Sequence, residues 1–200
     1  MAKLTHITRY KENKIRQNLR MHFDLATEEH IKKGTNWYYH VNTYCLDLQE
    51  RTKNIFELET IAGVISALSP RNKWDKNLID AEAVLNAVIN NKNPSDIKVS
   101  TFNTNKYKAF DIARGDRAIG IDSRKTFSFV RNIAHLDPEK ITIDVWHLRA
   151  CFNKTIDSGL TPKRYDQIEK ITLEEAKKVG LEGYEYQAVI WECVRDRNEF

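Results

Sequence analysis

Apolar residues recur every three or four positions along most of the chain, the period of a helix with one buried face. In "ITRYKENKIRQNLRMHFDLATEEHIKK", Ile15, Leu19, Phe23 and Ala26 fall at i, i+4, i+8 and i+11, and Gly34 follows as the expected stop. Trp37, Val41, Tyr44, Cys45 and Leu48 repeat the pattern in the next stretch. "FELETIAGVISAL" is apolar on all sides and predicts a buried central helix that ends before Pro70. Trp74, Leu78, Ala81, Leu85 and Val88 mark one face of a further helix. "TNKYKAFDIARG" predicts a short helix closed by Gly115, and Phe127, Val130 and Ala134 give the inner face of the helix after it. "DPEKITI" predicts an extended connector, after which Asp144 stands where an N-cap belongs. Two or three more helices follow; Thr172 and Glu175 fit a capping box, and Tyr186, Val189, Ile190 and Cys193 line the last inner face. The expectation is an all-α protein of about eight to ten helices, given typical helix lengths.

Composition narrows the class without changing the fold. The 200 residues are 41% hydrophobic and 30% charged, with only 7 glycines and 4 prolines. That describes a globular chain with long elements and short loops. Cys45, Cys151 and Cys193 are widely spaced and odd in number, so they predict reduced, buried thiols and no metal cluster. No apolar run is long enough to span a bilayer, and the first residues lack the apolar core of a secretory signal. A cytoplasmic protein is expected, with no membrane partner and no cofactor. The net charge of +4 suits a nucleic-acid partner.

Candidate chemistry lies in a few places. Trp74 sits among Arg71, Lys73 and Lys76, a setting that suits stacking on a base, although its spacing with Leu78 also suits a core. Asn72 and Asn77 could read a base edge or satisfy the local turn. Lys125 and Asp144 flank one helix and its connector. Read alone, Lys125 is a helix charge and Asp144 a cap.

Four segments in order, "GVISALSPRNKWDKNLIDAEAVL", "TFNTNKYKAFDIA", "SRKTFSFVRNI" and "ITIDVWHLRACF", change that reading. Together they resemble the helix-hairpin-helix DNA glycosylases, and the endonuclease III-like members in particular. The resemblance covers residues 60–152 and is similar to a divergent, phage-encoded member. It implies one two-lobed helical domain over residues 1–200, in which 1–59 and 153–200 form the second lobe. By the same resemblance Lys125 falls on the amine nucleophile and Asp144 on the shared carboxylate. Arg71, Asn72, Lys73, Trp74, Asn77, Ser123, Arg124 and Thr126 are then candidate DNA contacts; Tyr38 and His147 suit either a pocket or the core, and Gln187 and Trp191 are pocket candidates by analogy of fold alone. "AIGID" replaces the family's Gly–apolar–Gly hairpin, and its four-cysteine cluster is absent.

The implied activity is flipping of a damaged or modified base and cleavage of its N-glycosidic bond, with AP-lyase activity through Lys125. The partner is DNA, the chain a monomer, and the setting bacterial or phage-infected cytoplasm. Two alternatives share these residues: a phage transferase that hypermodifies DNA bases on the same fold, and a helical DNA-binding module without catalysis.

Overall fold

The periodicities place helices along nearly the whole chain. The computed structural model describes residues 8–155 and 160–197 and shows an all-α protein with no strand among them. The α-helices of the described residues are α1 (Arg9–Asp24), α2 (Glu28–Arg51), α3 (Leu58–Leu68), α4 (Trp74–Ile89), α5 (Asn103–Ala113), α6 (Arg124–His135), α7 (Val145–Phe152), α8 (Pro162–Lys178) and α9 (Gly183–Asp196). Short 3-10 turns at Pro94–Asp96 and Ile121–Ser123 interrupt the loops before α5 and α6.

Two compact units divide the chain: Met1–His40 with Leu136–Phe200, and Val41–His135. Helix α2 contributes its first part to one and its second part to the other. Within the stretch 60–152, residues 60–135 therefore belong to the second unit and 136–152 to the first. In the first unit α1, α7, α8 and α9 pack around a core that includes Leu19, Ile141, Ile143, Ile168, Tyr186 and Ile190. In the second, α3 is packed by α4, α5 and α6. Its all-round apolar character follows from that position, since every residue from Ile61 to Leu68 is buried.

Two helix boundaries differ from the sequence expectation. Gly34 does not stop a helix; it lies inside α2 and is buried. The break comes earlier, at Leu25–Thr27, leaving Ala26 half-buried in a linker. Thr27 starts α2 with a reciprocal cap. Its hydroxyl accepts from His30 N at 3.2 Å, and His30 Nδ1 accepts from Thr27 N at 3.1 Å. This is the geometry of a capping box with histidine in the glutamate position.

Thr172 and Glu175 likewise form no capping box. Both are buried in the middle of α8, where each serves a partner outside its own helix. The box at this end of the chain is Glu182 with Glu185, which opens α9, and α8 itself is capped by Thr161. Gly115 does close α5, with φ +80, a conformation other residues adopt only at a cost. All three cysteines are free and buried.

Candidate active site

Asp144 is positioned by the segment before it. Ile141 and Ile143 are buried in the core of the first unit, with Thr142 also buried between them. Tyr165 of α8 grips the backbone of this segment twice: the phenol donates to Ile141 O at 2.6 Å and accepts from Ile143 N at 3.1 Å. Glu169 accepts from Ile141 N at 3.1 Å. The chain then turns into α7, and Asp144 Oδ1 accepts from His147 N at 2.9 Å as the N-cap. A carboxylate here gains from the helix N-terminus and is held in one orientation while remaining only half-buried.

A buried polar cluster within the first unit feels that carboxylate. The buried Tyr38 hydroxyl donates to Gln187 Oε1 at 3.1 Å and shares a hydrogen bond with Thr142. Burial pushes the Tyr38 phenol well up, and the negative charge of Asp144 pushes it further, so Tyr38 stays neutral. Trp37 stands edge-on to Tyr38 at 4.7 Å and to Trp191 at 5.3 Å. Tyr38 thus bonds Gln187 and lies within the electrostatic reach of Asp144, and Trp37 bridges Tyr38 to Trp191.

His147 is on the same helix as Asp144 but points into the core. It is fully buried, with Nε2 2.9 Å from Thr172 Oγ1. Burial, together with the nearby His22, holds its pKa down to about 3. It is a neutral structural histidine at physiological pH.

The remaining candidates belong to the second unit. Lys125 is the exposed second residue of α6 and makes no hydrogen bond or ion pair with a described residue. Ser123 and Arg124 lead into it, exposed and half-buried respectively, and Thr126 follows half-buried. Arg131, a turn and a half on, pairs with Glu59 at 3.5 Å.

Arg71, Asn72 and Lys73 lie in the turn between α3 and α4, and Trp74 opens α4. Trp74 is half-buried and 6.4 Å from the Phe129 ring, which favours the packing role over stacking on a base. Asn77 is a core residue that donates to Ile65 O at 3.1 Å. Asn72 donates to the buried Asp80 at 2.9 Å.

Sequence reading missed Thr142 and Tyr165, whose roles depend on α8 packing beside the connector. It also passed over Phe102, a lone aromatic in the polar stretch "VSTFNTN" that proves 54% exposed. Among the described residues, no three His, Cys, Asp or Glu side chains are grouped to hold a metal ion, and no helix is long and apolar enough to cross a membrane.

The chain belongs to a family of unknown function, DUF7178, whose model matches residues 1–198. No curated protein and no solved structure is significantly similar to it.

Proposed function

We propose that the protein is a DNA N-glycosylase with a helix-hairpin-helix type of fold, and that Asp144 is its catalytic carboxylate. The observation that carries this reading is the setting of Asp144. It is a half-buried carboxylate fixed at a helix N-terminus, at the end of a segment clamped by Tyr165, and beside neutral Tyr38.

Cleavage of an N-glycosidic bond sends the bonding electron pair onto the base and leaves positive charge on the sugar at C1′. A carboxylate that cannot rotate away stabilises that charge without reorganising during the step. Water then adds at C1′ and gives up a proton. For the lyase half, the Lys125 amine adds at C1′ instead, gives up a proton and forms a Schiff base, which permits strand cleavage by elimination. Tyr38 and Gln187 hold the carboxylate's surroundings, and the basic turn around Arg71 and Lys73 contributes phosphate contacts.

The test incubates the protein with duplexes carrying single damaged or modified bases and measures free base by mass spectrometry. Borohydride is added in parallel to trap a covalent adduct. Free base from the wild type and none from Asp144→Asn is the expected result. A heavier nucleoside in place of free base would mean transfer rather than excision, and no product on any substrate would reject the reading. An adduct that survives Lys125→Ala would remove Lys125 from the chemistry.

A further inference from the structure

The turn before α4 and the loop before α5 are stitched together by a buried carboxylate. Asp80, 5% exposed, accepts from Asn72 Nδ2 at 2.9 Å and from Ser100 N at 2.7 Å. Thr101 Oγ1 donates to Pro70 O at 2.8 Å, and Asn105 Nδ2 donates to Thr101 Oγ1 at 3.0 Å. Burying a carboxylate is costly unless it is well bonded, and here its bonds fix two surface loops.

What those loops present is one aromatic ring and one guanidinium. Phe102 is 54% exposed, and the Arg71 Cζ lies 5.9 Å from its ring centroid. Arg71 has φ +54, a left-handed conformation that costs a non-glycine residue about 1 kcal/mol or more. The half-exposed ring at Phe102 leaves apolar surface in water, and a ligand that covers the ring while pairing with the guanidinium would gain from both. Lys73 and Lys76, exposed in the same turn and the first turn of α4, add to the positive charge against the single exposed acid Asp75.

We propose that Phe102 and Arg71 form a stacking platform for an unpaired nucleotide, its base on the Phe102 ring and its phosphate against Arg71 and Lys73. One ring beside a flat cation matches one base better than it matches a lipid surface, which requires a broad apolar area. The platform deepens the nucleic-acid reading above and rests on it for the polymer. It concerns binding, not bond cleavage, so it can fail or survive independently.

The test measures fluorescence anisotropy of labelled 20-base-pair duplexes, fully paired or with one unpaired nucleotide, on the full-length protein. The wild type is expected to prefer the bulged duplex. Phe102→Ala is expected to lose roughly 5- to 100-fold in affinity for it, in line with the stacking energy of one base. Phe102→Trp should retain the preference, and Arg71→Ala should lower the slope of log affinity against log salt by about one. Tyr107→Ala, which removes another exposed aromatic of α5, serves as the comparison and should bind as wild type does.

Equal loss in the Phe102 and Tyr107 variants, or no loss in Phe102→Ala, would overturn the platform. So would tighter binding to anionic phosphatidylserine vesicles than to either duplex. If free base is released while Phe102→Ala binds normally, the platform alone fails. If the preference depends on Phe102 while no base is ever released, the glycosylase reading alone fails.

Discussion

Gly34 of α2 lies directly against the backbone of Val189 in α9: a Cβ on Gly34 would stand 2.4 Å from Val189 N. No flexible side-chain end is available to move aside, because the nearest atoms are main chain. Gly34→Ala is therefore expected to destabilise the protein by at least the ~1–3 kcal/mol typical of overpacking, despite alanine's better helix propensity. Gly120→Ala provides the comparison, since a Cβ there meets nothing within 4 Å. Urea denaturation of both variants measures the difference. An unchanged midpoint for Gly34→Ala would show that the two helices can separate without cost.

Gly34 also shows where the chain can be read and where it cannot. Helix periodicity is a local property, and α3, α4, α5, α6 and α7 lie where their apolar spacing puts them. The N-cap role of Asp144 was legible for the same reason. A glycine within a helical pattern has two meanings, stop or close approach, and only the neighbouring helix decides between them. Thr172 and Glu175 were misread in the same way: their spacing matches a capping box, but their partners, His147 and the basic residues of α1, lie far away in sequence. Trp74 and Phe102 show that burial depends on tertiary packing, which local spacing does not reveal. The tryptophan amid cations is half-buried, and the isolated phenylalanine is exposed.

Asp144 combines a structural role with the proposed chemical one, and two substitutions separate them. Asparagine caps helices about as well as aspartate, so Asp144→Asn should melt within a degree or two of the wild type. Asp144→Ala removes the bond to His147 N and should cost about 1 kcal/mol. Both should abolish base release. Activity retained in Asp144→Asn, measured with the same substrate at matched folded fraction, would reduce the carboxylate to a cap.

Glu175 ties α1 to α8. At 2% exposure it accepts from Arg16 Nη1 at 3.0 Å, from Arg20 Nη2 at 3.1 Å and from Lys178 Nζ at 2.6 Å. Burial alone would raise its pKa, but the hydrogen bonds from Arg20, Lys178 and Arg16 outweigh it and bring the carboxyl to about 2. A depressed carboxylate stabilises the fold above its unfolded pKa of 4.5, and that contribution is lost as pH falls from there towards 2. Glu175→Gln should cost roughly 1.5–3 kcal/mol at neutral pH, the range for hydrogen bonds to charged groups. The gap between variant and wild type should narrow steadily below pH 4.5. Thermal midpoints across that range test this, and a constant gap would mean the ion cluster contributes nothing that titrates.

His147 produces a pH dependence in a different window. Burial, then the proximity of His22, lowers its pKa from 6.5 to about 3, and Thr172 Oγ1 lies within hydrogen-bonding distance of its Nε2. In the unfolded chain the imidazole takes up a proton as pH falls below 6.5, while in the folded chain it stays neutral. Proton uptake therefore favours the unfolded state, and stability should fall by up to ~1.4 kcal/mol per pH unit on acidification from 6.5. Between pH 6.5 and 4.5 this effect precedes the loss of the Glu175 contribution, so the two can be told apart. Glutamine at this position can still reach Thr172 but does not titrate. His147→Gln should be less stable at pH 7 yet show a shallower dependence between pH 6.5 and 4.5, by up to one proton. Denaturant midpoints at half-unit pH steps give that slope directly. Parallel curves for variant and wild type would show that His147 gains or loses its proton equally in both states, which a fully enclosed imidazole should not do.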